Sequence, residues 1–228
     1  MSATGLSHVL PGGGRVLFTA RSDGNMSSMS GELAHEGAHM RERLCTRIGA
    51  SRIARARQVH GGQVRRLRSV EQAADAAPLG VEADGHATAM PGVAVMVLAA
   101  DCLPVALGSE GAVAMVHAGW RGLAAGVLEE GVMALREVGG HGPIEAVIGP
   151  GAGACCYEVG PEVHDALGER RVERGLIDLR EIAAARLQAA GVSRVTQVAA
   201  CTICDERFFS HRREGERSGR QAGVAWLS

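Results

Sequence analysis

Three residues with reactive side chains stand at the ends of predicted strands. Within the apolar stretch VLAADCLPVALGSEGAVAMVHAGWRG, residues 97–122, the thiol of Cys102 follows one strand and the imidazole of His117 ends another. A second imidazole, that of His60, ends a strand at QVHGG. Because the ends of several strands can meet at one edge of a sheet, we expect these side chains to converge. Two imidazoles and one thiolate make a three-ligand zinc site, and zinc with three protein ligands keeps a fourth position for water or substrate.

A zinc ion held by these three residues would be catalytic. It would keep the thiol of Cys102 deprotonated and lower the pKa of its bound water towards 7. Copper is a second metal that two imidazoles and one thiolate can bind. The same residues also fit an ordinary interior, because buried cysteines are common. The spacing alone leaves the metal site and the ordinary core as alternatives.

A second histidine-containing motif, HEGAH, has the H-E-x-x-H spacing of zinc peptidases. His35 and His39 would bind the metal and Glu36 would act as the base. However, Gly37 lies within the motif and costs a helix about 1 kcal/mol. No third ligand follows at a familiar spacing. We therefore interpret the motif as the solvent-exposed face of a helix.

The remaining cysteines occur in two short motifs. CTIC, from Cys201 to Cys204, is a single C-x-x-C without a second pair, and the adjacent Cys155 and Cys156 have poor ligand geometry. We expect at least three of these four thiols to be structural. The neighbouring GPGAGACC lacks the third glycine of a dinucleotide-binding loop, because Cys156 stands there. It predicts a turn in which glycines let the backbone approach a ligand or another strand.

The composition describes an ordinary globular protein. With 228 residues, 46% hydrophobic residues and a formal net charge of −1, we expect a single domain over residues 1–228 that binds neither nucleic acid nor membranes. The longest apolar run, Val93–Ala100, is too short to span a bilayer. Since no signal peptide is visible, we expect a cytoplasmic protein with reduced thiols. All basic residues are arginines, which excludes a lysine Schiff base.

The pattern of apolar residues predicts interleaved strands and helices. Strands are expected at RVLFTA, EAVIGPG, RVTQVAACT and VAWL, and over Gly92–Ala99, Pro104–Leu107 and Ala112–His117. The sequence RIARARQVHGGQV predicts a strand that enters a hairpin at its Gly-Gly pair. Helices are expected over Glu32–Ile48, Gly122–Leu135 and Leu179–Ala190, the last capped by Asp178 and Glu181. Short turns between strands favour an α+β fold with mixed sheets, hairpin connections and covering helices.

Five segments together resemble the YfiH/DUF152 family over about Gln58 to Leu227. They are QVHGG, EADGHATAMPGVAVMVLAADCLPV, AVAMVHAGWRGL, IGPGAGACCYEVGPEV and FFSHRREGERSGR. The family has been called polyphenol oxidase (laccase), peptidoglycan editing factor and purine nucleoside phosphorylase. The resemblance implies zinc bound by His60, Cys102 and His117. It also implies phosphorolysis of adenosine, inosine, guanosine and methylthioadenosine, with adenosine deamination.

Several residues suit the chemistry that this resemblance implies. Deamination needs an activated water and an acid that moves protons, for which Asp101 and Glu158 are candidates. Asp101 would otherwise cap a turn, and Glu158 would pair with an arginine. Phosphate can be bound bidentately by Arg121 and Arg212, although the charge run around Arg212 also fits a solvated surface. Trp120 either stacks on a base or fills space. Backbone N–H groups of three glycines would face the same anion: Gly149, Gly151 and Gly153.

Two other catalytic functions use the same residues. A copper-dependent phenol oxidase would use the two histidines and the cysteine as a blue-copper ligand set, but the sequence has no H-x-H pairs for the multinuclear cluster of a laccase. A hydrolase that edits peptidoglycan precursors would use Cys102 as nucleophile and His117 as base. A binding module is disfavoured, because an open metal position serves no structural need. The expected partners are a purine nucleoside and phosphate, with a monomer and a homodimer both open.

Overall fold

Two large β-sheets form the centre of the protein in a computed structural model that describes residues 6–27, 32–76 and 80–228. The strands are β1 (Leu6–Val9), β2 (Gly14–Phe18), β3 (Arg52–Ala54), β4 (Val64–Leu67), β5 (Gly85–Thr88), β6 (Val93–Ala99), β7 (Leu103–Glu110), β8 (Ala112–Ala118), β9 (His141–Ile148), β10 (Glu158–Val159), β11 (Gly175–Leu176), β12 (Arg194–Gln197) and β13 (Gln221–Leu227). The helices are α1 (Glu32–Arg47), α2 (Trp120–Ala124), α3 (Val127–Glu137), α4 (Pro161–Ala166), α5 (Leu179–Ala189) and α6 (His211–Glu214).

Both sheets are mixed. The five-stranded sheet has the order β1-β2-β13-β6-β3, in which only β3 and β6 are parallel neighbours. The six-stranded sheet has the order β12-β9-β7-β8-β5-β4, with parallel pairs at its two edges and antiparallel pairs between them. Strands β10 and β11 form a separate antiparallel pair. The predicted α+β fold with mixed sheets and covering helices is confirmed.

Alternating apolar residues divide the interior into layers. On β6, Val95 and Val97 pack between the two sheets together with Met115 of β8, whereas Met96 faces α1 and its Leu44. The opposite face of the six-stranded sheet packs against α3 and α5. The single domain over residues 1–228 stays a prediction. It is supported by the apolar core between the two sheets, to which strands of both sheets contribute. No helix among the described residues has the length and apolar character needed to cross a membrane.

Most of the predicted elements are confirmed, with changes at their ends. The strand predicted at RVTQVAACT ends at Gln197, five residues early, and the strand predicted at EAVIGPG begins four residues earlier, at His141, and ends at Ile148. Helix α1 ends at Arg47, one residue earlier than predicted, and α5 begins after Asp178, whose side chain accepts hydrogen bonds from the backbone N–H groups of Arg180 and Glu181. The predicted helix Gly122–Leu135 is wrong as one unit. It is divided into α2 and α3 at Gly126, which has a left-handed backbone with φ 78°.

The predicted hairpin in RIARARQVHGGQV is also wrong. Strand β3 pairs with β6 in the five-stranded sheet, whereas β4 pairs with β5 in the six-stranded sheet. The chain between them therefore crosses from one sheet to the other and contains His60. His60 thus lies in a connecting loop and not at the end of a strand.

Candidate active site

The three predicted metal ligands converge at one end of the central strands of the six-stranded sheet. Cys102 immediately precedes β7, and His117 is the penultimate residue of β8. Because β7 and β8 are antiparallel with Pro104 opposite His117, the start of one strand lies beside the end of the other. His60 reaches the same place from its connecting loop. The ligand atoms of the three side chains lie within 4.8 Å of one another.

A buried carboxylate, Asp84, holds the two histidines in place. It accepts hydrogen bonds from the backbone N–H groups of Val59, His60 and Gly61 at 3.2, 3.0 and 2.7 Å. Its Oδ1 also lies 2.8 Å from Nδ1 of His117. Burial opposes the ionisation of Asp84, but the hydrogen bond with His117 and its charge bring the pKa of the carboxyl below its usual value. A carboxylate at Nδ1 leaves Nε2 of His117 as the ligand atom, which is the usual arrangement where a carboxylate orients a histidine that binds a metal.

The thiol and His117 stabilise each other's charged forms. Burial opposes ionisation of Cys102, yet His117 and His60 lower the pKa of this thiol to about 6. Burial alone would lower the pKa of His117, but Cys102 and Asp84 raise it to about 9. The protein on its own thus favours a thiolate at Cys102, which is the form that binds metals.

The backbone at this site is strained in two places. Among the described residues, His60 (φ 59°) and Asp101 (φ 88°) are the only residues other than glycine with a positive φ. Such conformations persist where the surrounding structure requires them, and they cluster at functional sites. Gly119 also allows a close approach, because a Cβ there would lie 2.7 Å from Sγ of Cys102.

A cavity of about 750 Å³ opens above the three converging residues. Its lining includes five arginines, of which two are paired with carboxylates of the protein, Arg55 with Asp75 and Arg57 with Glu82. The other three lie with two aromatic residues and a further histidine: Arg121, Arg212, Arg220, Trp120, Tyr157 and His211. The guanidinium of Arg121 lies 4.3 Å from the ring centre of Trp120, and that of Arg212 lies 5.2 Å from the ring centre of Tyr157. The volume and the mixture of cationic and flat aromatic groups suit an anionic or heterocyclic small molecule.

Asp101 connects the loops around the cavity. Its Oδ1 accepts a hydrogen bond from the hydroxyl of Thr202, and its Oδ2 accepts one from the backbone N–H of Arg212, both at 2.7 Å. Its carbonyl accepts a third from the backbone N–H of Ala152 at 2.7 Å. Both carboxylate oxygens are therefore engaged within the protein. This arrangement suits a residue that positions Arg212 better than one that carries protons.

The structure does not bring Glu158 to the cavity. Its carboxylate is exposed, lies outside the cavity lining and accepts a hydrogen bond from Arg174 at 3.2 Å. Its carbonyl accepts a hydrogen bond from the side chain of Arg212 at 3.0 Å. Glu158 is therefore not placed to act as an acid in this cavity, because its carboxylate is paired with Arg174 outside it.

The predicted anion cradle at the glycines is not formed. The N–H of Gly149 donates to the carbonyl of Pro104 at 2.8 Å, and that of Gly151 donates to the carbonyl of Ala200 at 3.4 Å. A Cβ at Gly149 would lie 2.5 Å from the ring of Phe18. The N–H of the third glycine, Gly153, donates to the sulfur of Cys201 at 3.2 Å, and none of the three glycines lines the cavity. Their lack of a side chain serves close packing, and their N–H groups are already engaged.

The remaining motifs, HEGAH and the two cysteine motifs, lie outside the cavity. His35, Glu36 and His39 are exposed on α1 and belong to no metal-competent group of the described residues, so the solvent-exposed helix face is confirmed. The expectation of poor ligand geometry at Cys155 and Cys156 is wrong. Their sulfurs lie within 4.8 Å of those of the CTIC motif, because the fold brings the two cysteine-containing loops together.

Comparison with known proteins identifies the family. A family model described as multi-copper polyphenol oxidoreductase laccase matches residues 14–228. The chain belongs to this family, YfiH/DUF152. The match extends the resemblance seen in the sequence upstream of Gln58 to include β2 and α1.

Relatives and solved structures agree with this assignment to the YfiH family. A purine nucleoside phosphorylase of Xylella fastidiosa is 40% identical over 223 residues, which cover 90% of this chain and 84% of the relative. The crystal structure of a DUF152 protein from Neisseria meningitidis has a TM-score of 0.85 at 29% identity and covers 99% of this chain and 100% of its own. YlmD from Geobacillus stearothermophilus has a TM-score of 0.84 at 29% identity, with coverage of 94% and 92%.

Three residues of this YfiH-family site are not predicted from the sequence: Asp84, Arg220 and Tyr157. Asp84 lies in the segment EADG, 33 residues before His117, and nothing in the sequence connects the two. Arg220 and Tyr157 also line the cavity. Arg220 belongs to the charge run that begins at Arg212, and Tyr157 directly follows GPGAGACC, so neither stands out from its local sequence. The position of Asp84 directly before the apolar strand β5 was the available signal, since a carboxylate next to apolar strands needs a buried partner.

Proposed function

We propose that the protein is a zinc-dependent purine nucleoside phosphorylase that also deaminates adenosine. The observation that carries the proposal is the convergence of His60, Cys102 and His117 on one point at the base of an arginine-lined cavity. The name of the Xylella fastidiosa relative supports the same activity. The proposed substrates are adenosine, inosine, guanosine and methylthioadenosine, with inorganic phosphate.

The donor set fits zinc. Two imidazoles and one thiolate are the ligand types that zinc prefers, and three protein ligands leave a position for water or substrate. Asp84 supplies the carboxylate that orients His117. When bound, zinc supplies a Lewis acid and a water of lowered pKa to this cavity.

The chain's own residues bind the two substrates. Arg121 and Arg212 are exposed at the cavity and form no ion pair among the described residues. Arg212 gives one N–H to the carbonyl of Glu158, and the remaining N–H groups of the two guanidinium groups can bind a phosphate. Arg220 adds a third positive charge from a more buried position. Trp120 and Tyr157 offer flat surfaces for a purine.

In phosphorolysis, the glycosidic C–N bond breaks as a phosphate oxygen bonds to the sugar carbon. The attacking phosphate gives up its proton, and the base leaves with that proton on its ring nitrogen. The arginines of the cavity bind the phosphate next to the sugar and balance its negative charge. Asp101 keeps the backbone of Arg212 in place through the hydrogen bond at Oδ2. We assign Asp101 this positioning role.

The test is phosphate-dependent release of hypoxanthine from inosine by metal-replete protein. Cys102→Ala removes one of the three ligands, so we expect the release to be lost. Cys45→Ser is the matched control, since Cys45 donates to the carbonyl of Ala50 and belongs to neither cluster of metal-competent residues. If metal-replete protein releases no base from any purine nucleoside, the proposal is wrong.

A copper-dependent phenol oxidase is the second candidate, favoured by the description of the family model. The described residues contain two groups able to hold a metal, and the second consists of cysteines alone. A multinuclear cluster of histidine-bound copper is therefore not found in the described ranges. Oxygen uptake with a phenol, compared between zinc-loaded and copper-loaded protein, separates the two functions. A metal bound to Cys102 would also argue against the hydrolase with a free thiol nucleophile.

A further inference from the structure

Four of the six cysteines form a second cluster, away from the three converging residues of the candidate active site. Cys155 and Cys156 lie in the loop after β9, and Cys201 and Cys204 lie in the turn after β12. All four sulfurs lie within 4.8 Å of one another. The sulfur of Cys204 is 2.7 Å from that of Cys156 and 3.3 Å from that of Cys155.

Parallel pairing of β9 and β12 brings the two loops together. Ile148 of β9 lies opposite Gln197 of β12, so both chains leave the sheet at the same edge. Beyond the strands, Gly151 and Cys201 form a further parallel bridge. The side chain of Arg180 donates to the carbonyls of Gly151 and Ala200 at 3.1 and 2.6 Å. The cluster is therefore held by backbone contacts that do not depend on the sulfurs.

The backbone around Cys201 is arranged for a thiolate. The N–H of Gly153 donates to its sulfur at 3.2 Å, and the N–H groups of Ile203 and Cys204 donate to it as well. Gly153 lacks a side chain where a Cβ would lie 3.0 Å from the Cβ of Cys201. Backbone N–H groups that donate to a ligand sulfur belong to the outer shell that orients metal ligands.

The arrangement fits a metal better than a disulfide. Four sulfurs at about 2.3 Å from a tetrahedral zinc ion lie about 3.8 Å apart. The sulfur of Cys204, at 2.7 Å from that of Cys156 and 3.3 Å from that of Cys155, would therefore move outward by roughly 0.5 to 1 Å on binding, and every separation would stay below the 4.8 Å span of the cluster. One disulfide would use two thiols and leave two others beside it. A soft divalent cation engages all four, and sets of four cysteines are typical of structural zinc sites.

We propose that Cys155, Cys156, Cys201 and Cys204 bind one zinc ion in a closed, structural site. The site joins the loop after β9 to the turn after β12. Both loops extend to the candidate active site, because Tyr157 follows Cys156 and lines the cavity, and the hydroxyl of Thr202 donates to Asp101. The zinc ion therefore stabilises one wall of the cavity and takes no part in the reaction.

The first test counts metal ions in protein purified without chelators. Cys102→Ser removes a ligand of the candidate active site, and the double variant C155S/C204S changes the two exposed cysteines of the cluster. We expect two zinc ions per chain in the unchanged protein and in the control Cys45→Ser, and one in each of the other proteins. X-ray absorption of the Cys102→Ser protein is expected to show four sulfurs at about 2.3 Å from zinc.

Three outcomes would overturn the proposal. They are an equal metal content of C155S/C204S and the unchanged protein, a metal-free Cys102→Ser protein, and an intact mass that is lower by two hydrogens because a disulfide has formed. None of these results depends on phosphorolysis, so the failure of the proposed function would leave them unaffected.

A second test distinguishes a metal ligand from a packing residue. Cys204→Ser removes a ligand, whereas Cys204→His replaces it with another that zinc accepts. Because Cys204 is exposed, both side chains fit without disturbing the core. We expect the second zinc ion to be lost in the serine variant and kept in the histidine variant, with a higher Tm in the latter. Equal metal contents or equal Tm values in the two variants would contradict a ligand role.

Discussion

The two cysteine-containing clusters of this protein are built in different ways. The cluster of His60, Cys102 and His117 lies at strand ends and a connecting loop, with a buried carboxylate, Asp84, behind it. The four-cysteine cluster lies on two loops, has two exposed members and is oriented by backbone N–H groups. The first arrangement has three ligands and an adjacent cavity, as a reaction requires. The second has four ligands, as a structural site requires.

A glycine lies against a cysteine in both clusters. Gly119 would place a Cβ 2.7 Å from the sulfur of Cys102, and Gly153 would place one 3.0 Å from the Cβ of Cys201. In both clusters the backbone therefore approaches a cysteine closely, but the groups that orient the ligands differ. In one the ligands are oriented by a charged side chain, and in the other by the main chain. Substitutions of side chains should consequently affect the first cluster far more than the second.

Asp84→Asn is expected to have the largest effect and to act on the first cluster alone. The substitution keeps the size of the side chain but removes the charge that orients His117 and the acceptor for the N–H of Gly61. We expect metal affinity at the first cluster to fall about 10- to 100-fold, because outer-shell carboxylates contribute that much. Competition with a chelator would measure it for each zinc ion.

The matched control for Asp84→Asn is Glu158→Gln, whose carboxylate lies outside the cavity and pairs with Arg174. It should leave both metal ions and the release of hypoxanthine unchanged. The four-cysteine cluster should keep its zinc in both variants. If Asp84→Asn binds both metal ions as tightly as the unchanged protein, then the carboxylate does not orient His117.

The two clusters also differ in how much of each could be predicted from the sequence. Strands β6 and β8 and the positions of Cys102 and His117 follow from local apolar patterns, and so does the cap at Asp178. The pairing of β9 with β12 joins segments about fifty residues apart, and no local pattern contains it. The four cysteines therefore appeared as two unrelated motifs. Asp84 was missed for the same reason, since its partner is supplied by the pairing of β5 with β8.

The pH dependence of stability is expected to differ between two buried histidines, His117 and His86. His117 has a carboxylate partner, whereas Nδ1 of the buried His86 has no hydrogen-bond partner in the described part of the chain. Burial, followed by the charge of Arg65, lowers the pKa of His86 to about 3, against a weaker opposite effect of Asp84. The folded protein therefore binds this proton less readily than the unfolded chain, whose histidine has a pKa of about 6.5.

The contribution of His86 to stability is thus complete above pH 6.5 and is lost as the pH falls from 6.5 towards 3. We expect His86→Leu to abolish a decrease of about 1.4 kcal/mol per pH unit in the free energy of unfolding over that range. Urea denaturation at pH 7.5, 6.5 and 5.5 would measure it as a difference in slope between the two proteins. The exposed His141 provides the control, and His141→Gln should follow the unchanged protein. Parallel slopes for His86→Leu and the unchanged protein would contradict the prediction.

Thr202 gives the smallest expected effect, and it lies between the two clusters. It stands within the CTIC motif, is fully buried, and its hydroxyl donates to Oδ1 of Asp101, next to Cys102. Thr202→Val keeps the shape and leaves that oxygen without its donor, which costs about 1 to 3 kcal/mol of stability. Since Asp101 also holds the backbone of Arg212, we expect KM for phosphate to rise roughly three- to tenfold, which corresponds to about 1 kcal/mol, with little change in kcat.

Thr202→Ser keeps the hydroxyl and should restore KM, which a purely steric role would not predict. The metal content of both clusters should be the same in the two variants, because neither changes a ligand. If the four-cysteine cluster acts on the cavity through this hydrogen bond, C155S/C204S should raise KM in the same direction as Thr202→Val. Combining the two changes should then raise KM by less than the product of their separate effects, since both act through one contact. A fully multiplicative result would mean that the two clusters are independent parts of the molecule.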